Sequence, residues 1–103
     1  AVDPLVALLR TGTDGAKEKA AGALANLARG NADNKIAIAK AGAMDPLVAL
    51  LRTGTDGNKN HAAYALKSLT SLAESRAAVA QALSLSAAAS KSDVDAAIDK
   101  ARS

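Results

Sequence analysis

Asp3-Pro4-Leu5-Val6-Ala7-Leu8-Leu9-Arg10-Thr11-Gly12-Thr13-Asp14-Gly15 recurs without a change as Asp45-Pro46-Leu47-Val48-Ala49-Leu50-Leu51-Arg52-Thr53-Gly54-Thr55-Asp56-Gly57, 42 residues further along the 103-residue chain. A period of about 40 residues marks a repeat architecture, because each unit exposes an apolar face that only a stacked neighbour covers. Function in such a chain belongs to the surface of the stack more than to a catalytic pocket.

Working outward from the block, Asp-Pro predicts a helix start, with the aspartate at the N-cap and proline at the first helical position. Leu5, Val6, Leu8 and Leu9 then fall largely on one face. Arg10 supplies a cation in the last turn, and Gly12 a residue that tolerates the left-handed conformation just beyond it. Leu47, Val48, Leu50, Leu51, Arg52 and Gly54 repeat the pattern. Thr13-Asp14 predicts the cap of a longer helix carrying Ala20, Ala23, Leu24 and Leu27, which Gly30 ends. A third helix, capped by Asn31 or Asp33, runs through Lys35-Ile36-Ala37-Ile38-Ala39-Lys40 and stops at Gly42. The second copy places Ala62, Ala65, Leu66 and Leu69 on its long helix and Ala77, Val79 and Ala80 on its last. Asn34–Ala41 aligns with Ser75–Ala82 after a one-residue deletion.

Composition agrees with an all-α fold. Apolar residues make up 50% of the chain with no Phe or Trp and one Tyr, while Ala exceeds a quarter, so the core consists of Leu, Ile, Val and Ala. That palette suits closely packed helices better than a β-sandwich. The length suits one domain. A net charge of +3 from 13 basic and 10 acidic residues is interspersed, with no polybasic run for nucleic acid or an anionic membrane. Without cysteine there is no disulfide, thiolate nucleophile or Cys-based zinc site, which is compatible with a reducing, intracellular setting. No stretch approaches a membrane span or a signal sequence, and the Ala1-Val2 start suggests a trimmed fragment.

Gly42-Ala43-Met44-Asp45-Pro46-Leu47-Val48-Ala49-Leu50-Leu51 at the junction of the units, together with Ala20-Ala21-Gly22-Ala23-Leu24-Ala25-Asn26-Leu27-Ala28 on the long helix, resembles the armadillo repeat. HEAT repeats use two helices and lack the Gly-Ala-x-x-Pro junction. The resemblance covers residues 3 to about 82 and implies an armadillo-type right-handed α-solenoid fragment of stacked three-helix repeats. Residues 1–82 then hold two repeats, 3–44 and 45–82, beginning at a second helix. Residues 83–103 leave the pattern. There Ser92 is placed to cap a helix with Val94, Ala97, Ile98 and Ala101 on one side, which would cap the stack or exchange between chains, and a mobile tail is the other possibility.

In this family a Trp and an Asn one turn apart on the long helices hold an extended peptide, and the resemblance puts those positions at Gly22 and Asn26, then at Tyr64 and Ser68. Only Asn26 keeps the family residue. Its amide offers both a donor and an acceptor to a peptide group, Ser68 offers a hydroxyl, and Tyr64 an apolar plate with a polar tip. Glu18, Lys19, Asn60 and His61 lie one turn earlier on the same candidate face. These eight residues are the expected partner-binding set, with solvated helix positions as the plain alternative. His61 is the only histidine, so no metal pair or triad assembles around it. Thr-Gly-Thr-Asp-Gly lacks the spacing of a phosphate loop and has no strand before it. The basic residues lack interleaved aromatics for stacking on bases. The expected function is therefore a non-catalytic, cofactor-free interaction module for a partner protein or extended peptide. The alternative is a minimal or engineered structural module that folds and self-associates, with a homodimer covering Leu5, Leu8 and Leu9.

Overall fold

The computed structural model describes residues 2–29, 31–86 and 89–102. Gly30, the expected stop of the long helix, and Ala87 and Ala88 of the non-repeat segment lie outside the described residues. The helices are α1 (Val2–Thr11), α2 (Asp14–Ala28), α3 (Ala32–Lys40), α4 (Met44–Thr53), α5 (Asp56–Leu69), α6 (Ala73–Ala82) and α7 (Lys91–Arg102). No strand occurs among the described residues, and the fold is all-α as the sequence predicts. The most extensive contact joins α2 to α5; α1 packs on α2, α4 on α5, and α7 against α4, α5 and α6.

Alanine permits the close α2–α5 approach. Ala20, Ala21, Ala25 and Ala28 on α2 and Ala62, Ala63 and Ala65 on α5 are buried, around the enclosed Leu24, Leu66 and Leu69. The buried surface of α2 is thus wider than the predicted stripe, and Ala23 and Leu27 are only half-buried, because the helix packs on both α1 and α5.

The identical blocks have different environments. Leu50 is 5% exposed and Leu47 fully enclosed, whereas Leu8 is 41% exposed and Leu5 half-buried. The second copy sits inside the stack and the first at its end. Leu9, expected to be only partly covered, is buried, since both α2 and α4 pack on α1.

Local details correct several expectations. Asp45 is not an N-cap: α4 begins at Met44, preceded by Ala43 in a helical conformation with no side-chain cap bond. The positive φ of 83° at Gly42 turns the chain so tightly that α4 starts two residues later, placing Asp45 and Pro46 in its first turn. Proline needs no hydrogen-bond acceptor there, and the carboxylate meets the positive helix end. Gly12 and Gly54 are not left-handed, since Gly42 and Ser84 are the positive-φ residues described. Closeness selects glycine instead: a Cβ on Gly54 would lie 2.7 Å from the Leu50 carbonyl oxygen and 2.8 Å from the Asn58 Cβ. Ser90, not Ser92, caps α7, its Oγ accepting from the Asp93 N–H at 3.1 Å.

Other caps follow the sequence. Thr13 and Thr55 Oγ1 accept from the N–H groups of Ala16 and Asn58, each at 3.2 Å. Asn31 Oδ1 accepts from the Asn34 N–H at 3.0 Å, while Asn34 Nδ2 donates to the Leu27 carbonyl at 2.9 Å and ties α3 to the end of α2.

The block arginines do more than complement their own helix ends. Arg10 Nη2 donates to the Gly42 carbonyl at 2.9 Å, and Arg52 Nη2 to the Ala82 carbonyl at 2.8 Å. Each reaches from its block to the C-terminal end of the short helix two elements on, α3 or α6. One divergence between the copies carries a cost: Asn58, where the first copy has Ala16, is fully buried and its amide has no hydrogen-bond partner. Such a group typically costs about 1–3 kcal/mol.

Candidate functional site

The eight candidate residues lie on α2 and α5, and the structure divides them into two sets. Glu18, Gly22 and His61 meet at the edge of the seam between the helices, each half-buried. A Cβ on Gly22 would stand 3.4 Å from His61 Nδ1 and 3.5 Å from Cε1, ordinary van der Waals distances, so the imidazole lies beside α2 at Gly22 without requiring a glycine there. Glu18 Oε1 is 3.6 Å from His61 Nε2, an ion pair whenever the ring is protonated. The same carboxylate rests on Gly57, where a Cβ would be 2.6 Å from Oε1, within the first turn of α5 and at its positive end. Glu18 and His61 thus pair across α2 and α5 while their side chains stay nearly half exposed.

Lys19, Asn26, Asn60 and Tyr64 are exposed, and Ser68 is half-buried. Tyr64 is the most prominent, at 67% exposure, and shows an aromatic ring to solvent on a chain otherwise without aromatics. Asn60 is engaged at one atom, its Oδ1 accepting from Arg102 Nη1 at 3.4 Å. The Ser68 carbonyl accepts from Ser71 Oγ at 3.1 Å.

Sequence reasoning did not place α7 beside this surface. Lys67 Nζ pairs with Asp99 Oδ1 at 2.5 Å, and Arg102 with the same carboxylate at 3.7 Å. Thr70 Oγ1 donates to Asp95 Oδ1 at 2.7 Å, and Lys91 Nζ donates to Asp95 Oδ2 at 2.6 Å. The residues touched run 60, 67 and 70 along α5 and its C-cap as those of α7 run 102, 99 and 95, so α7 lies antiparallel to α5. The spacing of Asp95 and Asp99 by four residues was a readable sign of an acidic helix face. Nothing local names Lys67 and Thr70 as its partners.

What remains on the face is an aromatic plate, two amides, a hydroxyl and an ammonium, groups suited to contact with another chain. Among the described residues no three His, Asp or Glu side chains gather as a metal ion would require. No described helix is long and apolar enough to cross a membrane. Comparison with known families matches the model described as armadillo/beta-catenin-like repeat to residues 1–29 and 31–71. The second of these matches opens at the Asn31 cap of α3 and closes just after α5. No curated protein and no solved structure matches the chain.

Proposed function

This chain belongs to the armadillo/beta-catenin-like repeat family, and from that premise we propose that it is a non-catalytic protein-interaction module whose α2–α5 face receives an extended segment of a partner. The observation that carries this is Tyr64, exposed on the long helix one turn before Ser68, with Asn26 exposed on the neighbouring long helix. Asn26 supplies a donor and an acceptor to a backbone amide, Tyr64 a plate for a side chain, and Lys19 and Asn60 flank them. The longest dimension of the molecule, 33 Å, limits such a segment to about ten residues at ~3.3 Å each. Affinity is correspondingly modest, since two units offer few anchors. Titration of isotopically labelled chain with acidic and basic ten-residue peptides is expected to move the amide signals of Asn26, His61 and Tyr64. Tyr64→Ala should weaken the responding peptide about tenfold, as for an aromatic anchor. Absence of any shift at those three positions with either peptide refutes this assignment.

A second function draws on the end of the stack. Leu8 is 41% exposed and Leu5 half-buried on α1, while their equivalents Leu50 and Leu47 are covered. We propose that two chains pair through these α1 faces, as a self-associating structural module would. Light scattering should then show a concentration-dependent dimer that Leu8→Glu abolishes. A chain that stays monomeric at high concentration contradicts it.

A further inference from the structure

A groove of about 560 Å³ runs between α3 and α6, over Met44 at the start of α4. None of its lining residues belongs to α2 or α5, so it is separate from the proposed partner face. Its walls are apolar, with Ile36 and Ala39 on α3 and Leu72 and Ala78 on the α6 side, and Ile36 is 40% exposed. Lys35 Nζ donates to Ser71 Oγ at 2.8 Å and ties α3 to the turn before α6. The volume lies within the range of about 300–1,000 Å³ typical of small-molecule sites.

The repeat supplies its own reference for this place. With Asn34 aligned to Ser75, the α3 cap Asn31 corresponds to Leu72. In α3, Asn31 accepts the Asn34 N–H and Asn34 donates to the Leu27 carbonyl. In α6 both functions are gone: Leu72 makes no side-chain cap bond, so the first-turn amides have no side-chain acceptor. Ser75, which lines the groove, is 2% exposed and its hydroxyl has no hydrogen-bond partner. A buried hydroxyl left alone is uncommon in native structures and calls for a specific reason. Lys40 adds an ammonium to the lining, and Glu74 a carboxylate that opposes it.

We propose that the α3–α6 groove binds a small aliphatic carboxylate, its chain against Ile36, Met44 and Leu72 and its head at the start of α6, accepting from the Ser75 hydroxyl and the first-turn amides beside Lys40. An acceptor-only head matches a set of donors and the positive end of a ten-residue helix. An alcohol of equal length has the same tail and lacks the charge. The probe is octanoate, titrated into the labelled full chain, with octan-1-ol and a capped glutamate peptide as the comparison arms.

Octanoate is expected to shift the amides of Ala73, Glu74 and Ser75 together with Ile36 and Ala39, and to bind about tenfold more tightly than octan-1-ol, the ratio one charge-assisted hydrogen bond produces. Ser75→Ala should weaken it several-fold, and Glu74→Gln should strengthen it by removing the opposing carboxylate. Leu72→Asn, which restores the α3-type cap, should abolish the shifts at residues 73–75 while leaving the chain folded. Equal affinity for octan-1-ol, unchanged octanoate shifts in the Leu72→Asn chain, or a response to the glutamate peptide alone would overturn the assignment.

Discussion

Leu50→Ala is expected to lower the unfolding free energy by about 2–5 kcal/mol, while Leu8→Ala, the same substitution at the same place in an identical block, is expected to cost less than about 1 kcal/mol. Leu50 is 5% exposed and Leu8 is 41% exposed, so only the first truncation leaves an enclosed void in place of side-chain contacts. The difference lies wholly outside the thirteen residues, because local propensity, capping and charge are the same in both copies. Urea unfolding of the two variants at low micromolar concentration measures it. In a chain of this size each kcal/mol moves the melting temperature by roughly 4–8 °C. Equal losses at the two positions would mean that Leu8 is covered in solution and that the asymmetry of the stack is not as described.

Ile98→Asp should release α7 from the rest of the chain. Ile98 and Val94 are fully enclosed and are the two buried residues of that helix, one turn apart against α4 and α5. An ionised carboxylate at position 98 costs several kcal/mol to bury without a partner, more than the remaining contacts of a twelve-residue helix supply. Asp99→Asn is the companion variant. It removes the pairing with Lys67 at a site where both side chains are more than a third exposed, and is expected to cost under about 1 kcal/mol. Amide hydrogen exchange distinguishes them: residues 91–102 should lose protection in Ile98→Asp and keep it in Asp99→Asn. Full protection of α7 in both would show that Val94 alone anchors it.

The fold was largely legible because its main signals are local and occur twice. Asp-Pro followed by paired leucines, then Thr-Asp before an alanine-rich stretch, marks helix order in each unit without reference to anything distant. Finer points failed where a neighbour decides. Gly12 and Gly54 read as left-handed stops, yet their role is to let the Leu50 carbonyl and the Asn58 side chain, or their first-copy equivalents, come close. Likewise Leu9 read as partly covered, since nothing in its own helix reports that α4 packs on α1. On the candidate face, the residue positions on α2 and α5 were readable from the family pattern. That His61 lies beside Gly22 and that Asp99 meets Lys67 are long-range facts, separated by 39 and 32 residues, which no local pattern encodes.

Arg10 and Arg52 have one more consequence. In a linear array, total stability is a sum of what each unit holds internally and what it shares with the next, and the ratio of the two sets whether the array melts as a whole or frays. In the register of the family matches, where the second begins at α3, Arg10 belongs to the shared part, since it leaves the first match to bond the Gly42 carbonyl after α3, and Arg52 repeats the bond at the end of α6. The unchanged block therefore conserves coupling as well as helix. Arg10 thus adds a tie between α1 and the end of α3 to the packing of Val6 and Leu9, so loosening of α1 is coupled to the start of the next matched repeat.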